Sequence, residues 1–315
     1  MPIDKDNRRL PKKWQSFRDQ VTILESRGMI FEDKAKAEYI LSQVNYYRLS
    51  GYWYSFRTQL TDITRSDEFI VNTRFEDVLN IYGFDKQLRL LCLHALENIE
   101  MSLRTNIAHT LGRISPTAHL NSDNFNQRFI ESKNKYWNYN TWLNRYNEQI
   151  KKAKKSPFID HHFNHYKDLP IWVGIEVLDF GSISTLYTGL KGKQQQQISR
   201  LYGVSNAKVF ASWLKSLNYI RNICAHHGRL WNVNIDVIAQ VDKNISVFQH
   251  LDNKRIYFYL KMMQYLMTVI SPSSCWEEEL NNLLSQFPIP KNKAITLDGL
   301  GVLDNGEDNV TKLEQ

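Results

Sequence analysis

Apolar residues recur along this chain mostly at spacings of three and four, the period of an amphipathic helix. Residues 14–27 space Phe17, Val21, Ile23 and Leu24 in this way, with Gly28 placed to end the helix. Residues 33–46 predict a second helix through Ala37, Ile40, Leu41 and Val44. The aromatic run at 45–57 reads as a packed turn or extended segment, and 62–72 as a polar connection. In the aromatic run Tyr52, Trp53 and Tyr54 suit core packing or, if exposed, base stacking. Residues 75–111 hold the longest periodic stretch, one helix or two in succession if Gly83 interrupts it. Residues 121–140 predict a loop-rich excursion, and 142–150 a helix. β-branched residues between 170 and 190 suit strands, but the flanking helix signals predict helices divided at Gly181. Residues 191–197 read as a short polar bridge, 206–225 as a strong helix, and 255–270 and 275–287 as two more. The tail from Lys291 reads as extended or loose. The fold class predicted is all-α.

With 42% hydrophobic and 23% charged residues, this is a folding chain and not a disordered one. A net charge of +7 favours anionic partners, though one basic run accounts for much of it. Cys92, Cys224 and Cys275 are too few and too scattered for a disulfide framework or a cysteine metal cluster, which fits a reducing compartment. The polar N-terminus lacks the apolar core of a signal peptide, and no apolar run reaches transmembrane length. A cytoplasmic protein with no membrane partner is expected.

The most informative chemistry lies at residues 216–231, SLNYIRNICAHHGRLW, where Arg221, Asn222, His226 and His227 interrupt an apolar helix just before Gly228. Five residues turn an α-helix by about 140°. Arg221 and His226 are therefore off one stripe, whereas Asn222 and His226 share a face. Locally this is either a capped helix end with an ion pair or a phosphate site. As a phosphate site it suits RNA cleavage without metal. A neutral imidazole takes the ribose 2′-hydroxyl proton, the alkoxide attacks the adjacent phosphate, and arginine holds the non-bridging oxygens. A second imidazole can donate to the leaving 5′-oxygen. DNA lacks the attacking hydroxyl.

The same spacing recurs at Arg104 and His109, with Glu97 and Glu100 upstream as structural partners for the arginine. Lys151, Lys152, Lys154 and Lys155 form a basic run that is either a solvated helix end or a phosphate-contacting patch. His161, His162 and His165 invite a metal reading, but no cysteine or spaced carboxylate set completes four ligands. Neither a metal nor a cofactor is expected.

Several ordered segments carry a resemblance: ESRGMIF at 25–31, QVNYYRLSGYW at 43–53, YGFDKQLR at 82–89, ALENIEMSLRTNIAH at 95–109, LPIWVGIEVLDFGSISTLY at 169–187 and LNYIRNICAHHGRLWN at 217–232. Through them the chain resembles the Abi-like abortive-infection proteins of the AbiD/AbiF type, in bacterial defence against phage. That family is similar to the HEPN superfamily of helical bundles, which includes metal-independent ribonucleases and the RNA-cutting modules of type VI CRISPR effectors. The resemblance implies a HEPN-like bundle at 75–287 with a loop-rich insertion near 112–168, preceded by a helical, aromatic-rich segment at 1–74 and followed by a tail at 288–315. It implies Arg221 and His226 as the catalytic pair with Asn222 beside them, and Arg104, Glu97 and less firmly His109 on a partner helix; His227 is a supporting candidate. An RNA substrate, a homodimer and control by a small RNA or an antitoxin follow as expectations. The alternative expectation is an RNA-binding defence subunit without catalysis. Relatives often end in a Met-Gly-Phe-Pro-like segment followed by Trp; the nearest stretch here, LLSQFPIP at 283–290, keeps Phe287 and Pro288 without the Trp.

Overall fold

The computed structural model describes residues 13–62 and 64–302. Among these the fold is all-α, as the periodicity predicts, with thirteen α-helices and one two-stranded sheet. None of the helices is long and apolar enough to cross a membrane. The chain divides into two compact units. One comprises the described residues through Phe84 with Phe287–Thr296; the other comprises Asp85–Gln286 with the described residues from Leu297.

In the first unit, α1 (Phe17–Ser26) starts in a capping box between Ser16 and Asp19 and ends at Gly28, whose φ of 94° suits glycine. α2 (Lys34–Gln43) is capped by Asp33. The aromatic run departs from the expected turn. It forms α3 (Tyr46–Trp53), capped by Asn45, because Leu49, Tyr52 and Trp53 fall on one buried face. Tyr52 and Trp53 are thus core residues, closed to base stacking, and Tyr54 alone of the three is exposed. The polar connection also departs from expectation. It contains β2 (Arg65–Phe69), antiparallel to β1 (Arg57–Gln59). No apolar alternation marks this hairpin. It is held by Arg65 Nη1 donating to the Ser55 and Arg57 carbonyls at 3.0 and 2.7 Å, and by an Arg57–Asp67 ion pair at 3.0 Å.

The long periodic stretch is one uninterrupted helix, α4 (Phe75–Gly112). A Cβ at Gly83 would meet nothing within 4 Å, so this glycine neither breaks nor packs the helix. Residues through Phe84 belong to the first unit, where Phe287 meets Phe84 edge-on with ring centroids 5.0 Å apart. The described start of the tail is less loose than expected. Asn292 Nδ2 donates to Thr73 Oγ1 at 3.1 Å, and Ile295 is buried.

In the second unit, α4 continues from Asp85. There follow α5 (Gln127–Glu131), α6 (Tyr139–Lys152), α7 (Pro157–His165), α8 (Ile171–Gly174), α9 (Phe180–Gly189), α10 (Gly192–Leu201), α11 (Ala207–Ala225), α12 (Ile256–Ile270) and α13 (Trp276–Ser285). Buried indoles tie the elements together. Trp142 Nε1 on α6 donates to the Ser182 carbonyl of α9 at 3.0 Å, and Trp276 Nε1 on α13 donates to the Leu91 carbonyl of α4 at 2.9 Å. α10 occupies the expected polar bridge. Its four glutamines hide a helix that buries Ile198 and Ser199, and Gln195 Nε2 donates to the Thr188 and Leu190 carbonyls. The break before α9 falls at Leu178–Asp179 and not at Gly181, because the Asp179 carboxylate accepts from Ser182 N at 2.7 Å and caps the helix. Residues 161–165 lie on α7, where His161 and His165 stack at 4.3 Å and each of His162 and His165 places Nδ1 against the carbonyl one turn back.

Candidate functional site

α11 is fixed from both ends. Asn206 caps its start by accepting from Lys208 N and Val209 N, and Val209, Phe210, Trp213, Leu214, Leu217, Ile220 and Cys224 make its buried stripe. That stripe leaves Arg221 half-buried and Asn222 exposed. The helix ends in a Schellman turn. His227 N donates to the Cys224 carbonyl at 3.1 Å and Gly228 N to the Ile223 carbonyl at 2.7 Å. The residue in the left-handed position is His227, with φ 59°, and not the glycine. Gly228 is needed for a different reason: a Cβ there would stand 2.8 Å from Ile223 Cγ2 and 3.2 Å from the Ile223 carbonyl oxygen.

Arg221 lines an open cleft of about 360 Å³ together with Glu100 and Arg104 of α4, Arg145, Glu148, Gln149 and Lys152 of α6, and Val177, Leu178 and Asp179 ahead of α9. The arginines that begin the two Arg-x4-His motifs therefore share one cleft within one chain. They are held differently. Arg104 is ion-paired with Glu100, donates to the Glu176 and Leu178 carbonyls at 3.0 and 2.7 Å, and lies 3.6 Å from Glu176 Oε2. Arg145 is paired with Asp179 at 2.7 Å. Burial works to raise the Asp179 pKa, but the Ser182 N–H and the Arg145 guanidinium outweigh it and hold the carboxyl below its ordinary value. Arg221 has only the Asn222 amide oxygen, at 3.4 Å; among the described residues no carboxylate pairs with it or with Lys152. Glu148, one turn before Lys152, tempers the local charge, yet the cleft keeps two cations free to meet an anion.

The other sequence candidates lie elsewhere. His226 caps α11, exposed, and neither it, Asn222 nor His227 lines the cleft. His109 lines a second cavity, with Thr105, Ala108, Gly112, Arg113, Trp172 and Glu176. Glu97 is exposed and has no ion pair among the described residues; the α4 carboxylate that pairs with Arg104 is Glu100. Lys151, Lys154 and Lys155 are exposed beyond the cleft wall, to which the run contributes Lys152.

The family model described as Abi-like protein matches residues 39–232, more than half of the chain. The chain belongs to the Abi-like family. No curated protein and no solved structure matches it. The matched span of this Abi-like chain takes in the whole lining of the cleft and stops just beyond the Schellman turn.

Inside the same span lies a pair that motif spacing alone does not single out. Asp85 and Arg89 on α4 form an ion pair that is almost wholly buried. Asp85 Oδ1 accepts from Leu230 N at 3.0 Å and Trp231 N at 2.7 Å, and Arg89 Nη1 donates to the Gly228 carbonyl at 3.3 Å. The pair clamps the chain directly after the two histidines, so the place of His226 and His227 is set by α4 as well as by α11. The four-residue acid–base spacing within YGFDKQLR is the visible signal; its burial is not. Likewise, scattered in sequence, Cys92 on α4 and Cys224 on α11 are both buried free thiols. The Cys224 thiol and complete burial push the Cys92 thiol well above its ordinary pKa, which makes it a packing residue and a poor nucleophile.

Proposed function

We propose that this Abi-like protein is a metal-independent RNA endonuclease of abortive-infection defence, built on a HEPN-type helical core. The observation that carries the reading is the joint lining of one cleft by Arg104 and Arg221, the latter without a carboxylate partner. Two guanidinium groups and Lys152 suit the non-bridging oxygens of a backbone phosphate. Arg221 holds the phosphate and stabilises charge as it develops; Arg104 shapes the wall and adds field. His226 at the end of α11 takes the 2′-hydroxyl proton, with Asn222 one turn before it to orient the imidazole. Because His226 is exposed and outside the cleft lining, a homodimer is part of the proposal: a second chain brings a helix end to the phosphate. Control by a small RNA or an antitoxin acts on access to this surface.

The test is incubation of purified protein with several RNAs, with and without EDTA, beside Arg221→Ala and His226→Ala. Cleavage that persists in EDTA and is lost in both variants is expected. Equal cleavage by wild type and His226→Ala removes that histidine from the chemistry, and strict dependence on added metal overturns the mechanism. One observation favours a second reading. The cleft lining contains arginines and a lysine but no histidine, a composition that suits RNA retention without cleavage. RNA that copurifies with the wild type, is lost in Arg221→Ala and is never cut selects it.

A further inference from the structure

Beside the arginine cleft lies a second cavity of about 460 Å³, within the range of small-ligand sites, and its walls are of a different kind. α8 begins immediately after Pro170, and Ile171 N donates to the Pro116 carbonyl at 2.8 Å, which fixes Trp172 against the end of α4. The six-membered ring of Trp172 sits against Gly112: a Cβ there would stand 3.3 Å from Cε3 and Cζ3. Although packed on that side, Trp172 is 49% exposed, so much of its indole is open to the cavity and to solvent. Around it stand the Glu176 carboxylate and the exposed side chains of His109 and Arg113.

Glu176 is the wall between the two cavities. Its Oε2 lies 3.6 Å from Arg104 Nη1, and Arg104 and the next residue, Val177, line the arginine cleft. Oε1 has no hydrogen-bond partner among the described residues. A carboxylate offers about four acceptor sites, so Glu176 can keep Arg104 and still accept from a ligand.

We propose that the cavity lined by Trp172 and Glu176 is a nucleobase subsite, selective for guanine, that seats the base of a nucleotide whose phosphate lies in the adjoining Arg104–Arg221 cleft. The proposal rests on reading that cleft as an RNA phosphate site. An open indole is a stacking platform for any base. The carboxylate supplies the selection. Guanine presents two neighbouring donors, N1–H and the N2 amino group, to a two-oxygen acceptor; adenine, cytosine and uracil present fewer on one edge. A base unable to pair with Glu176 leaves the carboxylate less well satisfied and binds less tightly. His109, at the same spacing from Arg104 as His226 from Arg221, then borders the base and not the phosphate.

The experiment is calorimetric titration of the full chain with GMP, AMP, CMP and UMP, and with guanosine, which lacks the phosphate. GMP is expected to bind about tenfold more tightly than AMP. Trp172→Ala weakens GMP by about tenfold or more, the range of one lost base–aromatic stack, and Trp172→Phe restores most of it. Glu176→Gln brings GMP and AMP together. Arg221→Ala weakens all four nucleotides alike and leaves guanosine unchanged. Equal binding of the four nucleotides to wild type, or GMP binding indifferent to Trp172→Ala, overturns the subsite even if RNA is cut. GMP selectivity in a protein that neither holds nor cuts RNA supports the subsite and defeats the nuclease reading, so the two failures are distinct.

Discussion

Arg104 and Arg221, on helices far apart in the chain, line one cleft, but only Arg104 is built into the frame around it. Its guanidinium ties α4 to the backbone at Glu176 and Leu178, whereas Arg221 meets a single amide oxygen. The two alanine variants should therefore separate stability from binding. Arg104→Ala removes charged hydrogen bonds to two carbonyls and leaves Glu100 without its cation, a loss of roughly 2–4 kcal/mol. Arg221→Ala should change stability by less than about 0.5 kcal/mol and still abolish RNA retention. Urea unfolding beside an RNA filter-binding assay measures both; a destabilised Arg221→Ala that holds RNA normally contradicts the division of roles.

Salt dependence gives an independent reading of the cleft. Each phosphate neutralised on a single strand adds about 0.7 to the slope of log affinity against log salt. Lys152 lines the cleft, whereas Lys151 stands beyond it. Lys152→Ala should lower the slope by about one phosphate's worth, and Lys151→Ala should leave it nearly unchanged. Equal effects in both variants mean that the run acts as a diffuse basic surface.

The sequence discloses the frame of this protein better than its joints. α4, α11 and α12 follow from apolar spacing because each buries one continuous stripe. β2 and α10 escape that test, since one is secured by Arg65 bonding to carbonyls and the other by Gln195 doing the same, and neither bond leaves a periodic trace. Arg104 and Arg221 are each visible as motif residues. Their shared cleft is not, because it depends on how α4, α6, α9 and α11 pack. The resemblance pairs His226 with Arg221; the helix ends at His226, which lies outside the cleft lining.

The clamp after that turn makes its own prediction. Asp85 accepts two backbone N–H bonds as well as the Arg89 ion pair, all with little solvent. Arg89→Met leaves a buried carboxylate without its cation and should cost about 3–5 kcal/mol in urea unfolding. Gly228→Ala should also destabilise, by about 1–3 kcal/mol, through the clash with Ile223. His227→Gly should leave the protein folded, because glycine takes the left-handed position without a Cβ. Loss of RNA cleavage in a stable His227→Gly protein would assign that imidazole a part in the chemistry.

His119 should make stability depend on pH. It is fully buried, with Nε2 3.0 Å from the Tyr146 hydroxyl, and desolvation lowers its pKa from 6.5 to about 4. Above pH 6.5 the imidazole is neutral whether the chain is folded or not. As pH falls from there towards 4, the unfolded chain takes up a proton that the folded chain refuses, so stability declines across that window and levels off below it. At about 1.4 kcal/mol per pH unit the full loss is roughly 3 kcal/mol. Asp179, whose pKa is lowered, acts in the same direction but in a more acidic window, below its ordinary value of 3.8. His119→Gln keeps a polar partner for Tyr146 and cannot titrate. Urea midpoints measured from pH 7.5 to 4.5 should fall less steeply in this variant than in the wild type, and parallel curves would show that His119 does not carry the pH dependence.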